Sequence, residues 1–182
     1  ILRLGLPSAL QQSIVSFGHI AMQRLVNGFG QYSIAAYTAG NRLDNFMFVP
    51  IMGLSTALST FTGQNIGAGN LERTKRGLRF SILTSVSVSV LISVFLYIFA
   101  PQVISLFSLA GESLARGVEQ VRFITLVFWI FAIYITIGGV FQGSGDVLTQ
   151  SAITLTALVI RVVLGYIGVH AGILDYEAAW VT

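Results

Sequence analysis

The chain has 182 residues, of which 54% are hydrophobic and only 9% charged, with a formal net charge of +3 and no cysteine. Soluble domains carry roughly 25% charged residues, so the composition excludes a water-soluble globular protein and places the chain in lipid. The absence of cysteine removes disulfides, thiolate nucleophiles and cysteine metal sites.

Uncharged stretches run from Leu4 to Gln23, from Asn45 to Leu71, from Phe80 up to Glu112, from Phe123 to Gly145 and from Val147 to Ile160. A bilayer-spanning helix needs about 20 residues, and the last stretch reaches that length once Arg161 is admitted and the run continues to Val169. Period-two alternation does not persist, which argues against a spanning barrel. The predicted fold is therefore all-α: a polytopic transmembrane helix bundle forming one membrane domain, with five spans and a sixth apolar run beginning at Trp180. The chain opens on Ile1 rather than methionine, and a segment of a longer protein is expected. The first run has neither a basic n-region nor a small-residue cleavage site, so it does not read as a signal peptide.

Much of the positive charge sits in one link, Glu72-Arg73-Thr74-Lys75-Arg76-Gly77-Leu78-Arg79. It is too compact for a nucleic-acid-binding face, and basic links stay cytoplasmic. Counting spans from there puts Arg3 and the Gly143 to Asp146 link inside, and the links at Gly28 to Ile34 and near Glu112 outside.

In chain order, the first run carries Ser8, Gln12, Ser16, His19, Gln23 and Asn27 at spacings of 4, 4, 3, 4 and 4. This is one polar stripe along a helix, which either lines an aqueous cavity or bonds a neighbouring helix. His19 is its one group titrating near neutral pH, but no carboxylate shares the helix, and a structural donor is the favoured reading over a proton relay. The second run has Asn41 and Asn45 on one face, one turn beyond Tyr37, and Pro50 predicts a bend. Arg42 and Asp44, two apart, do not face each other.

The second run ends in GQNIGAGN, residues 63 to 70. A phosphate loop needs a preceding strand and a Lys-Ser/Thr or spaced GxGxxG, and neither is present. Glycine at positive φ closing one helix, with Asn70 capping the next, is the expected role. Gly143-Ser144-Gly145-Asp146 repeats the pattern of Gly67-Ala68-Gly69-Asn70 between two later runs. The third run bears Ser81, Ser85, Ser89 and Ser93 at fourfold spacing, a ridge for close helix packing. The fourth has Thr125, Ala132, Thr136, Gly139 and Gly143 along one side. In the fifth, Arg161 is a charge at depth. With seven acids placed nearly all in links, no carboxylate pair, serine–histidine–acid set or metal cluster can be assembled, so an enzyme is not expected.

Gly5-Leu6-Pro7-Ser8, Ala35-Ala36-Tyr37, Gly53-Leu54-Ser55-Thr56-Ala57, Gly63 to Asn70 and Gly143 to Asp146 together resemble the multidrug and toxic compound extrusion (MATE) transporters. In that family two six-helix lobes face each other across a cleft, and GQNIGAGN resembles the form of the second lobe. The resemblance implies that residues 1–182 are the C-terminal lobe, helices seven to eleven and the start of twelve, with the N-terminal lobe outside this chain as its partner. It implies a multi-pass protein of the bacterial plasma membrane that exports amphipathic, often cationic compounds in exchange for sodium ions or protons by alternating access.

The NorM-type branch places acids in helices seven and ten. The corresponding positions here, counted from Pro7 and Gly143, are Val15 and Phe131, so the chain resembles the DinF-type branch. The coupling ion, Na+ or H+, is then expected in the N-terminal lobe, with no other cofactor and no nucleic acid as partner. Gln12, Ser16, His19, Gln23, Asn27, Asn41 and Asn45 are the candidate cavity residues. A lipid-linked glycan flippase of the same superfamily would want a more basic cavity, and a non-transporting membrane scaffold would bury the Gln12 to Asn27 stripe against a dry neighbour.

Overall fold

The structure is a computed structural model that describes residues 13–21, 23–24, 27–28 and 31–170. Its described residues form helices and short links, without strands. The elements are α1 (helical at 13–21 and 23–24), α2 (Gln31–Gly67), α3 (Leu71–Ser105), α4 (Glu112–Ser144) and α5 (Val147–His170). Three of these, over Ile34–Gly67, Leu71–Ser105 and Glu112–Ser144, are long and apolar enough to cross a membrane. The chain is thus a multi-pass membrane protein.

Both glycine motifs form the same device, and the hydrogen bonds define it. Gly69 has φ of 72°, Gly69 N–H donates to Ile66 O at 2.9 Å, and Asn70 N–H donates to Asn65 O at 2.8 Å. Gly145 has φ of 80°, Gly145 N–H donates to Gln142 O at 3.2 Å, and Asp146 N–H donates to Phe141 O at 3.0 Å. Each is a Schellman ending with a left-handed glycine at C′. The next residue starts the following helix at once: Arg73 N–H donates to Asn70 Oδ1 at 3.1 Å, and Thr149 N–H to Asp146 Oδ1 at 3.3 Å. One side chain therefore serves as the last residue of one cap and the first of another, which is why the links are so short.

The chain divides into two compact units. The first gathers Ile1–Gly40, Pro101–Gln120 and Ser151–Thr182, and the second Asn41–Ala100 and Val121–Gln150. In the second unit α2 and α4 touch through backbone. Ser55 Oγ donates to Ile135 O at 2.8 Å. A Cβ added at Gly139 would lie 2.5 Å from Ser55 O, and one at Gly143 would lie 2.2 Å from Ser59 O. Lipid tails are as apolar as leucine, so helices associate in a bilayer through close packing at small residues rather than through hydrophobic gain. The predicted small-residue side of α4 is the buried one: Thr125, Ala132, Thr136 and Gly139 are all buried. Further along, Phe48 packs edge-on against Phe128 at 5.3 Å.

Helix α3 completes this unit by two contacts. Gly77 accommodates the Phe61 ring, which also lies 5.5 Å from the Arg73 guanidinium. Of the serine ridge, Ser85 and Ser89 are buried at 0% exposure with their hydroxyls bonded to Ile82 O and Val86 O, and Ser81 and Ser93 are half-buried. In the first unit the Gly18 face of α1 meets Leu158, Gly117 meets Ile104, and Gly40 meets Gln120. The large apolar side chains Phe46, Phe80, Leu83 and Leu91 are instead exposed. Small polar groups inside and large apolar groups outside is the arrangement of a lipid-solvated helix cluster.

Helix α2 is unbroken through Pro50, and α3 through Pro101, which the sequence reading passed over. Each proline lacks the N–H that would bond the carbonyl four residues earlier, Phe46 and Tyr97 respectively. Asp44 is half-buried inside the Ile34–Gly67 helix, which extends through Arg42 and Asp44 ahead of the start of the charge-free run.

Two sets of glycine substitutions separate space from backbone conformation. Gly139→Ala or Gly143→Ala in the full-length protein is expected to cost about 1–3 kcal/mol through overpacking, whereas Gly67→Ala, with nothing within 4 Å, should leave the thermal midpoint in detergent unchanged. At the caps, Gly69→Ala has open space but a left-handed φ, and is expected to cost about 1–2 kcal/mol. Asp146→Ala removes an N-cap at about 1 kcal/mol and Asp146→Asn should keep it, with hydrogen exchange at residues 147–150 as the local readout.

Candidate functional site

The candidate residues on α1 lie on its open side. Ser16, His19, Gln23 and Asn27 are all exposed, Gly18 is buried, and a Cβ there would fall 2.5 Å from Leu158 Cδ1. At 3.6 residues per turn the stripe runs roughly opposite Gly18, so the helix packs by its glycine side and presents its amides and imidazole away from α5. Gln12 lies outside the described residues. Ile14, Phe17 and Ile20 are also exposed, by 43%, 68% and 52%, so α1 has an open apolar face as well as an open polar one.

The two α2 candidates lie in the second unit, apart from α1 in the division of the chain. Asn41 is half-buried and Asn45 exposed. Asn45 Nδ2 donates to Asn41 O at 2.8 Å, one turn back along the same helix. One N–H of the Asn45 amide is therefore committed to its own backbone, and its other N–H and Oδ1 are what it has left to offer. The side chain of Arg161 lies outside what the structure describes.

Gln120 is a polar group that sequence reading did not single out. It is 2% exposed, its Oε1 has no hydrogen-bond partner, and it occupies the space that Gly40 leaves open: a Cβ at Gly40 would lie 2.3 Å from that oxygen. An unbonded buried amide oxygen costs roughly 1–3 kcal/mol. The signal for it was an amide in the Glu119-Gln120-Val121 stretch, one residue before the apolar side of α4. Among the described residues no three His, Cys, Asp or Glu side chains group to hold a metal ion. The exposed Arg76–Glu72 pair, at 3.5 Å, is an i,i+4 contact of small energetic consequence.

The model of the MatE family matches residues 7–167. The chain belongs to the MatE family. It is 28% identical over 182 residues to the probable multidrug resistance protein YoeA of Bacillus subtilis, covering all of this chain and 39% of that protein. It is 25% identical over 182 residues to the probable multidrug resistance protein NorM of Thermotoga maritima, again covering 39% of the relative. A solved outward-facing MATE transporter of the MOP superfamily superposes with a TM-score of 0.89 at 27% identity, over 99% of this chain and 41% of that one. The chain thus spans about two-fifths of the length of these relatives. The family consists of transporters, which agrees with the absence of a catalytic constellation expected from sequence.

Exposure to lipid and exposure to water are separable on α1. In the intact transporter, cysteines at Ser16, His19 and Gln23 are expected to react with a membrane-impermeant maleimide, while cysteines at Ile14 and Phe17, equally open but apolar, should react only with a membrane-permeant reagent.

Proposed function

We propose that residues 1–182 form the C-terminal lobe of a secondary antiporter that exports amphipathic or cationic compounds in exchange for sodium ions or protons. The observation that carries this reading is the face of α1. Four polar side chains at successive helical turns stand open and opposite the Gly18 contact. A span bathed only in lipid has no use for such a stripe, and a scaffold would have it consumed in helix contacts. The names borne by the bacterial relatives, multidrug resistance proteins, support export as the direction of transport.

In this reading Ser16, His19, Gln23 and Asn27, with Gln12 ahead of them, shape the wall of an aqueous cleft, and Asn41 and Asn45 on α2 are further candidate contacts for the same class of compound. They bind by adaptable hydrogen bonds and dipoles rather than by fixed charge, which suits substrates that share amphipathicity more than shape. Val15 and Phe131 occupy the positions where the NorM-type branch has acids, so ion coupling falls to the N-terminal lobe and the membrane of a bacterial cell supplies the gradient. Secondary transporters place their sites near the midplane between repeated halves, and the two lobes alternate access around it.

Gln23→Leu in the full-length transporter tests this assignment. The expected result is an altered ranking of exported compounds in a resistance or efflux assay with the sodium or proton dependence of transport retained. An unchanged compound profile with lost ion dependence would place the coupling step in this lobe and defeat the reading.

A further inference from the structure

Between α3 and α4, within the second unit, a groove of about 410 Å³ is lined by Val90, Ser93, Val94, Tyr97, Leu126 and Trp129, among others. Its volume falls within the range of small-molecule sites, roughly 300–1,000 Å³. Val94, Leu126 and Trp129 are 53%, 61% and 44% exposed, so it opens at the surface of the second unit. Helices α3 and α4 run antiparallel here, and the end of the groove at Tyr97 carries a cation: the Arg122 guanidinium lies 5.4 Å from the centre of the Tyr97 ring. Among the described residues Arg122 has no ion-pair partner. It stands immediately before the charge-free run that starts at Phe123, at the boundary of the apolar layer, where a long side chain reaches the headgroups.

A second polar element lies one helical turn along α3. Ser85 and Ser89 return their hydroxyls to their own helix, bonding Ile82 O and Val86 O. Ser93, the next in the ridge, does not: its Oγ is buried and has no hydrogen-bond partner, and the residue lines the groove. Four residues of helix separate Ser93 from Tyr97, about 6 Å along the axis. Cation and apolar trough follow in the order phosphate and acyl chain.

The geometry points to a binding site for an anionic glycerophospholipid of the surrounding bilayer, with one acyl chain in the groove and its phosphate at Arg122. The occupant is anionic because the Arg122 guanidinium, without an ion-pair partner among the described residues, attracts a phosphate and repels the cationic amphiphiles that share an apolar tail. Tyr97 is an amphipathic aromatic of the kind found at the level of the headgroups. The Trp129 indole N–H donates to Leu126 O at 3.0 Å, which fixes the ring as one wall. This site lies on α3 and α4 and involves none of the residues assigned to the transport cleft.

Trp129 is a built-in reporter. The full-length transporter is placed in nanodiscs of phosphatidylcholine containing increasing fractions of phosphatidylglycerol brominated on its acyl chains, or of phosphatidylcholine brominated likewise. The Trp129 signal is taken as the difference between the wild type and Trp129→Phe. Half-quenching is expected at a mole fraction of brominated phosphatidylglycerol about fivefold lower than of brominated phosphatidylcholine, the preference that one basic residue near the headgroups supplies. Arg122→Gln, at an exposed position where folding is not at stake, should equalise the two lipids while leaving quenching itself intact. Ser93→Phe, which fills the trough, should abolish the quenching of Trp129 by either. Equal quenching by the two lipids in the wild type, or a preference that survives Arg122→Gln, would mean only general contact with the bilayer and overturn the site.

Discussion

The contact between the backbones of α2 and α4 sets the geometry of the second unit. Ser55 and Ser59 on one helix meet Gly139 and Gly143 on the other so closely that neither glycine has room for a methyl group. Burial of large apolar side chains cannot supply this association, because lipid solvates them as well as a helix does. What remains is dispersion at close range and the Ser55 Oγ to Ile135 O hydrogen bond, both of which require small residues. The two glycine motifs converge on this seam: a Cβ at Gly63, which opens GQNIGAGN, would lie 3.2 Å from Gly143 O. Their first glycines pack the helices together and their later ones, Gly69 and Gly145, end them. Packing and capping are thus divided among neighbouring residues of a single motif.

The same constraint explains how the polar residues are spread. Close packing brings serine and threonine to the interior, and most of them are neutralised locally: Ser85, Ser89, Thr125 and Thr136 each bond a carbonyl three or four residues back. Their hydroxyls lie inside without making the interior wet. Against that background the exceptions have meaning. Thr62 Oγ1, Ser93 Oγ and Gln120 Oε1 are buried without partners, and an unmet buried polar atom persists only where something else offsets its cost. Thr62 lies against Gly143 in the seam, and Ser93 faces the lateral groove.

The sequence was most legible where local rules act alone. Gly-small-Gly followed by Asn or Asp reads as a cap because only glycine takes the left-handed conformation cheaply and only a short polar side chain turns back to the free amides. The serine ridge and the small side of α4 were legible because 3.6-residue periodicity survives any tertiary context. Helix ends were less legible, because a charge-free run marks the apolar layer and not the helix, and a helix such as α2, at 37 residues, exceeds the about 20 needed to cross. Gln120 escaped notice since its meaning depends on Gly40, eighty positions away in sequence, and periodicity names a face without naming what meets it. Asn45 was read as open to a cavity, whereas the choice between cavity and own-helix carbonyl is a matter of rotamer.

That last distinction bears on transport itself. A site that must bind and release many compounds needs polar groups whose partners can be exchanged at little cost, while a hydroxyl or amide bonded to its own helix is already satisfied in every state. The hydroxyls of Ser85, Ser89, Thr125 and Thr136 are of the second kind, and the Asn45 amide is partly so. The polar side of α1, turned away from the Gly18 contact with Leu158, belongs to the first by position: amides and an imidazole at successive turns, on the side of the helix that does not pack against α5.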